Sequence, residues 1–156
     1  MLALRRATPD DADGLWELRT NAILAIPIAA YERSAIETWA HKPQFAEFKN
    51  VIRDNFYLVY EKEGTILGGG FLDLNHRSIE AMYVMPRLQG QGVGKSIIKA
   101  LLDEAKRLKM GEVTLSSTLN AVPFYRSFGF GFEKPSKYKF EDGRELDCID
   151  MKISFF

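Results

Sequence analysis

One stretch of the chain concentrates residues whose types and spacing suit binding chemistry: Tyr83-Val84-Met85-Pro86-Arg87-Leu88-Gln89-Gly90-Gln91-Gly92-Val93-Gly94-Lys95-Ser96. A strand-like run stops at Pro86, alternate glycines follow, and a helix-like pattern opens at Val93. N–H groups in the first turn of a helix lack internal partners and sit at the positive end of its dipole. Glycine removes the Cβ atoms that would hold a bulky anion away from them. The stretch therefore predicts a phosphate or pyrophosphate cradle. Lys95, Ser96 and, one turn later, Lys99 can add charge and hydrogen bonds.

Three cradle patterns compete for these residues. A dinucleotide Gly-x-Gly-x-x-Gly begun at Gly92 needs glycine where Ile97 stands, and begun at Gly90 needs it at Lys95. A nucleoside-triphosphate loop shares the ending Gly94-Lys95-Ser96, but its first glycine falls on Gln89. The third pattern, Arg/Gln-x-x-Gly-x-Gly/Ala, is met by Gln89, Gly92 and Gly94. Gly68-Gly69-Gly70 is a rival loop, but it lies inside a strand pattern and reads as a bulge or a close backbone approach.

With that third pattern the chain resembles the GNAT superfamily of acetyl-CoA-dependent N-acetyltransferases. Ile79-Glu80-Ala81-Met82-Tyr83-Val84-Met85-Pro86 is similar to the family's fourth strand. Asn120 followed by Ala121-Val122-Pro123-Phe124-Tyr125-Arg126-Ser127-Phe128-Gly129-Phe130 is similar to its Asn…Ala-x-x-Phe-Tyr-x-x-x-Gly-Phe signature. The region before about Asn55 matches in outline only. The resemblance implies an α+β fold, with a mostly antiparallel twisted sheet splayed between its fourth and fifth strands and flanked by helices.

It also implies acetyl-CoA as donor and a primary amine, on a small molecule or a peptide, as acceptor. Direct attack would pass through a tetrahedral intermediate. The pyrophosphate is expected on the N–H groups of Gln91 to Lys95, within a cofactor site of Gln89, Gly90, Gln91, Gly92, Val93, Gly94, Lys95 and Ser96. The pantetheine arm is expected along the Met82-Tyr83-Val84 edge as an added strand. Val84 N–H would face the thioester oxygen, and Asn120 and Phe124 would complete the cofactor site. Tyr125 is the family's acid for the departing thiolate. A lysine-like amine has a pKa near about 10 and must lose a proton before it attacks. Glu80 is the candidate base. Strand alternation predicts it on the same sheet face as Met82 and Val84, and the family's best-known base position falls on Ser78. Asp73 and His76 are weaker candidates. Tyr31, Trp39 and Phe45 could line an acceptor site built from the first two helices. Two alternatives remain open: a catalytically idle acyl-CoA-binding regulatory module, and a P-loop-like nucleotide-binding phosphotransferase.

Positioning these residues requires a definite order of elements. A strand at Leu2 to Arg6 precedes a helix started by Thr8-Pro9-Asp10-Asp11, with Ala12, Leu15, Trp16, Ala22, Ile23 and Ile26 on its buried face. Pro27 ends or bends that helix. A second helix is predicted over Glu32 to Ala40, and a further short one between His41 and Asp54. Phe56 to Glu61, Thr65 to Leu74 and Ser78 to Met85 read as a three-strand meander. A helix from Val93 to Lys109 follows, with Gly111 as its C-cap glycine. A strand over Glu112 to Ser116, a short helix over Asn120 to Ser127 ended by Gly129, and a tail alternating Ile149, Met151 and Ile153 complete the order.

Composition agrees with one domain spanning residues 1–156, since domains commonly take about 100–200 residues. Lys and Arg total 21 against 21 Asp and Glu, which argues against a nucleic-acid or anionic-membrane partner. The longest apolar run, Ala22 to Tyr31, contains Pro27 and falls short of the roughly 20 residues that span a bilayer. The acidic residues soon after Arg5 and Arg6 do not suit a secretory leader, and a cytoplasmic location is expected. The lone Cys148 rules out an internal disulfide or a multi-cysteine metal site, and no metal is expected. It reads as a packed thiol, which favours direct transfer over an acetyl-cysteine intermediate. The resemblance also makes a homodimer a reasonable expectation.

Overall fold

The structure is a computed structural model, and it describes residues 2–140 and 142–155. Among the described residues seven strands form one sheet in the order β1-β2-β3-β4-β5-β7-β6. They are β1 (Leu2–Arg6), β2 (Phe56–Lys62), β3 (Thr65–Asp73), β4 (Ser78–Val84), β5 (Glu112–Thr118), β6 (Gly131–Lys139) and β7 (Glu145–Ser154). Every neighbouring pair is antiparallel except β4 and β5, which run parallel. The expected α+β architecture is therefore present. The tail forms two strands, and β6 is the one that alternation in the sequence did not locate.

Helices cover both faces. On one lie α1 (Ala12–Leu24), α2 (Arg33–Ala40) and α3 (Phe48–Asp54); on the other lie α4 (Val93–Arg107) and α5 (Val122–Arg126). The α4 side buries Val93, Ile97, Ile98, Leu101, Leu102 and Ala105 against Leu58, Leu72 and Ile79. At about 1.5–3 kcal/mol for each large aliphatic side chain, this face anchors the helix whose first turn carries the glycines. On the opposite side Leu15 and Leu18 pack with Phe48, Tyr57, Val59 and Phe71.

The three consecutive glycines of β3 serve close approach, as predicted. A Cβ on Gly68 would lie 2.7 Å from Val93 Cγ1, and one on Gly69 2.7 Å from Leu15 Cδ2. A Cβ on Gly70 would collide with Met82 Sδ.

The predicted helix start is present as a 3₁₀ turn over Pro9–Asp11 that leads into α1, with Thr8 as its cap and Asp11 accepting the Thr8 N–H at 2.8 Å and a two-pronged hydrogen bond from Arg5. One local expectation needs correcting. At the far end of α4 the left-handed residue is Lys109 (φ 59°), not Gly111. Met110 N–H donates to Ala105 O and Lys109 N–H to Lys106 O, each at 3.0 Å, which is the Schellman closure. Burying Met110 beside α4 sets that register and outweighs the strain at Lys109.

Between β4 and β5 the sheet opens. Ser78 pairs with Thr114, and Thr114 N–H donates to Arg77 O at 3.0 Å. Beyond that point the two strands share no further pair among the described residues. A bulge lies just past the pairing: Gly69 faces Tyr83 and Phe71 faces Glu80, so Ala81 and Met82 together oppose Gly70. Ala81 takes up the extra residue at φ 54°. A bulge bends its strand, and this one turns β4 away from β5.

Candidate active site

The glycine-rich turn expected to cradle a phosphate lies at the entrance of α4. Gly90 and Gly92 have φ of 81° and 88°, a region that costs residues with a Cβ but not glycine. A side chain at either would meet nothing within 4 Å, so the space outside the loop is open. Ser96 N–H closes the first turn on Gly92 O at 3.0 Å, so the N–H groups ahead of it have no helical acceptor. Three predicted contributors are committed elsewhere. Gln91 N–H donates to Leu88 O at 3.2 Å, Ser96 Oγ donates to Gly92 O at 2.9 Å, and Lys99 pairs with Asp103 at 3.3 Å. The available donors are therefore main-chain N–H groups from Gly92 to Lys95. Gln89 and Lys95 are exposed beside them. These residues fit a pyrophosphate.

Gly94 is where the separate motifs meet. A Cβ there would lie 3.2 Å from Phe124 Cζ and 3.4 Å from Val84 Cγ2. The first turn of α4, the end of β4 and the start of α5 thus converge at one backbone atom. Met85 N–H donates to Leu67 O on β3 at 2.8 Å. Successive N–H groups of a strand point to opposite edges, so Val84 N–H points into the gap.

Tyr125 is buried between Phe124 and Phe130, with ring centroids at 5.1 and 6.0 Å. Burial raises its phenol well above the ordinary value, and nearby Tyr83 and Glu80 raise it further. Phe124 remains partly exposed at the cradle, and Asn120 is exposed at the turn between β5 and α5.

The expectation that Glu80 shares a face with Met82 and Val84 is overturned by the bulge. Glu80 pairs with Phe71, whose side chain belongs to the α1 side, whereas Met82 and Val84 pack on the α4 side. The extra residue at Ala81 inverts strand parity. Tyr83 is turned to the α1 side as well, so it contributes main chain to the cofactor edge and side chain to the opposite face. Ser78 Oγ donates to Glu80 Oε1 at 3.0 Å. Both line an open groove of about 450 Å³ with Thr114, Ser116, Lys134 and Asp150. Burial raises the Glu80 carboxyl above its usual range, although solvent reaches the residue; Ser78 opposes this and Asp73 adds to it.

Other candidates have structural partners. Asp73 accepts the N–H groups of Asn75 and His76, and His76 Nδ1 lies 3.0 Å from Asp73 Oδ2, so both shape a surface turn. Tyr31 is buried; its hydroxyl donates to Asp147 O at 2.6 Å and accepts Leu119 N–H at 3.1 Å. Phe45 stacks edge-on against Trp16 at 5.8 Å, and Trp39 lies 6.4 Å from Tyr138. Cys148 is buried in β7, and burial raises its thiol.

Arg19 was not anticipated. Only 9% exposed, it donates from Nη2 to Trp39 O at 2.7 Å and from Nη1 to Ala40 O at 3.2 Å, and it stacks over Trp16. In sequence it reads as one more polar helix position. The C-terminus of α2 closing over α1 is what buries it. Tyr83 lies within electrostatic reach of both Arg19 and Glu80, and burial pushes its phenol up to about 12.

Residues 27–155 match the family model described as an acetyltransferase (GNAT) domain, and the chain belongs to that family. Its fold is shared by a GCN5-related N-acetyltransferase from Rhodopseudomonas palustris, with a TM-score of 0.89, 24% identity, and coverage of 98% of this chain and 95% of that one. The PaiA N-acetyltransferase of Thermoplasma acidophilum, solved with coenzyme A, matches with a TM-score of 0.74 and 17% identity over 99% of both chains. A phosphinothricin acetyltransferase from Sinorhizobium meliloti, solved with acetyl-CoA, matches with a TM-score of 0.70 and 20% identity, over 99% of this chain and 88% of that one. No curated protein sequence matches the chain. Among the described residues no helix is long and apolar enough to cross a membrane.

Proposed function

We propose that the protein transfers an acetyl group from acetyl-CoA to a primary amine by direct attack across the β4–β5 gap. One observation carries this reading. At Gly94 the first turn of α4, the end of β4 and Phe124, next to Tyr125, meet where β4 has parted from β5. Acetyl-CoA supplies an activated acetyl thioester, and the chain's own residues do the rest. The N–H groups from Gly92 to Lys95 bind the pyrophosphate, and Phe124 covers the cradle beside Gly94. The free edge of β4 near Met82 and Tyr83 receives the pantetheine arm, with Asn120 at its other side. Val84 N–H stabilises the oxyanion that forms as the amine attacks the carbonyl carbon.

Glu80, on the amine's side, takes the ammonium proton directly or through water. A desolvated carboxyl has a pKa closer to working pH, which suits a base. As the carbon–sulfur bond breaks, Tyr125 donates its proton to the thiolate. A phenol raised by burial stays protonated until then.

Thermal shift with acetyl-CoA and separately with ATP–Mg²⁺ tests the cofactor, because a ligand that binds only the native state raises Tm. Stabilisation by acetyl-CoA is expected, and stabilisation by ATP–Mg²⁺ alone overturns the reading. Release of free thiol with a panel of amines then tests turnover. Binding of acetyl-CoA without thiol release from any amine identifies an idle binding module instead.

A further inference from the structure

We propose that the acceptor is an amine that itself carries a carboxylate, and that the Arg19 guanidinium receives that carboxylate on the α1 side of the gap. This rests on the acetyltransferase reading above and narrows it to a substrate class. Arg19 is buried, and its titratable neighbours are two phenols, Tyr83 and Tyr138. No carboxylate pairs with it among the described residues. Of the five N–H donors on a guanidinium, the carbonyls of Trp39 and Ala40 take one at each terminal nitrogen. The C-terminus of α2 supplies about half a negative charge to that cation. The remainder lacks a counterion, and a buried unpaired charge is costly.

A second cation stands in the same neighbourhood. Lys42 Nζ lies 5.5 Å from the Tyr138 ring and 5.3 Å from the Phe140 ring, and donates to Tyr138 Oη at 3.3 Å. Tyr83 packs in the cluster that holds Ile23 and Trp39, and it shares the α1-side face of β4 with Glu80. The α1 side is thus polarised, with a carboxylate base at the gap and positive charge farther out. A polyamine would bring its second ammonium to that positive charge. An aminocarboxylate would place its amine at Glu80 and its anion at Arg19.

The test compares L-alanine, L-leucine, L-phenylalanine and β-alanine with their carboxamides and with spermidine, using kcat/KM per unprotonated amine in the wild-type protein. The best acceptor is expected to be a carboxylate, exceeding its amide by about tenfold or more, as a charge-assisted hydrogen bond allows. Arg19→Gln is expected to bring that ratio to within about twofold of unity. A purely structural Arg19 predicts a lower Tm with the ratio unchanged, and that result overturns the proposal. So does an amide or spermidine as the best acceptor. If Arg19→Gln does not fold, Arg19→Lys keeps the charge without the fork and is expected to retain part of the ratio; a full ratio counts against recognition by Arg19. Calorimetric binding of the same pairs to the CoA-loaded protein reads the proposal without turnover, and amides binding as tightly as carboxylates overturn it. Failure of acetyl-CoA to bind, or of any amine to react, overturns the acetyltransferase reading separately.

Discussion

On the α4 side of β4, Met82 and Val84 pack beside Gly94 and Phe124, and a ligand is offered mainly backbone N–H groups. On the α1 side of the same strand, Glu80, Tyr83 and Arg19 offer a carboxyl, a phenol and a guanidinium. Backbone donors recognise a diphosphate whatever the surrounding side chains are, provided the loop can adopt its shape. Side-chain donors recognise one particular partner and change with every substitution. One bulge at Ala81 keeps these two sets of groups within a few residues of each other yet on opposite faces.

The contrast is broken most severely by Gly92→Asp, which forces a side chain onto φ 88° and sets a negative charge at the helix entrance. Acetyl-CoA affinity should fall by about a hundredfold or more by calorimetry. The fold should survive, since a strained residue costs about 1–3 kcal/mol. Undiminished affinity would remove the cradle.

Glu80→Gln strikes the other face. General-base catalysis contributes typically about 10²–10⁴-fold, so kcat/KM at neutral pH should drop about a hundredfold while acetyl-CoA affinity holds. Burial raises the Glu80 carboxyl, so the base is protonated, and activity lost, at a higher pH than the roughly 4.3 of a free glutamate. That acid limb should vanish in the variant; its persistence would assign the base to another group.

Tyr125→Phe tests the point where the faces meet. It should lower kcat about tenfold and leave the KM for acetyl-CoA within about threefold, because the ring keeps its packing. A wild-type rate would leave Tyr125 as a packing residue. Lys109→Gly, remote from both faces, should relieve the left-handed strain at the end of α4 and stabilise the protein by about 1 kcal/mol. That corresponds to a Tm rise of about 2–4 °C, with kinetics unchanged.

The sequence disclosed the backbone-built face far better than the other. Gly90 and Gly92 are visible because only glycine accepts their φ without strain, whereas Phe124-Tyr125 was legible only through the resemblance of its motif, and the structure sets Phe124 against Gly94. The side-chain face was hidden by the bulge. Ala81 carries no mark of its left-handed backbone, and without that mark simple alternation puts Glu80 on the wrong side. Arg19 was hidden because its burial depends on α2, an element distant in sequence. Gly111 misled for the opposite reason: a glycine stood near a helix end, but burial of Met110 decided where the helix closed.

Gly68, Gly69 and Gly70 let side chains of α4 and α1 press directly on β3 from its two faces. A single added methyl at Gly69 would be felt by Leu15, and one at Gly68 or Gly70 by Val93 or Met82. A change at any of these three positions would therefore shift a helix or the neighbouring strand without altering any atom proposed to meet a substrate.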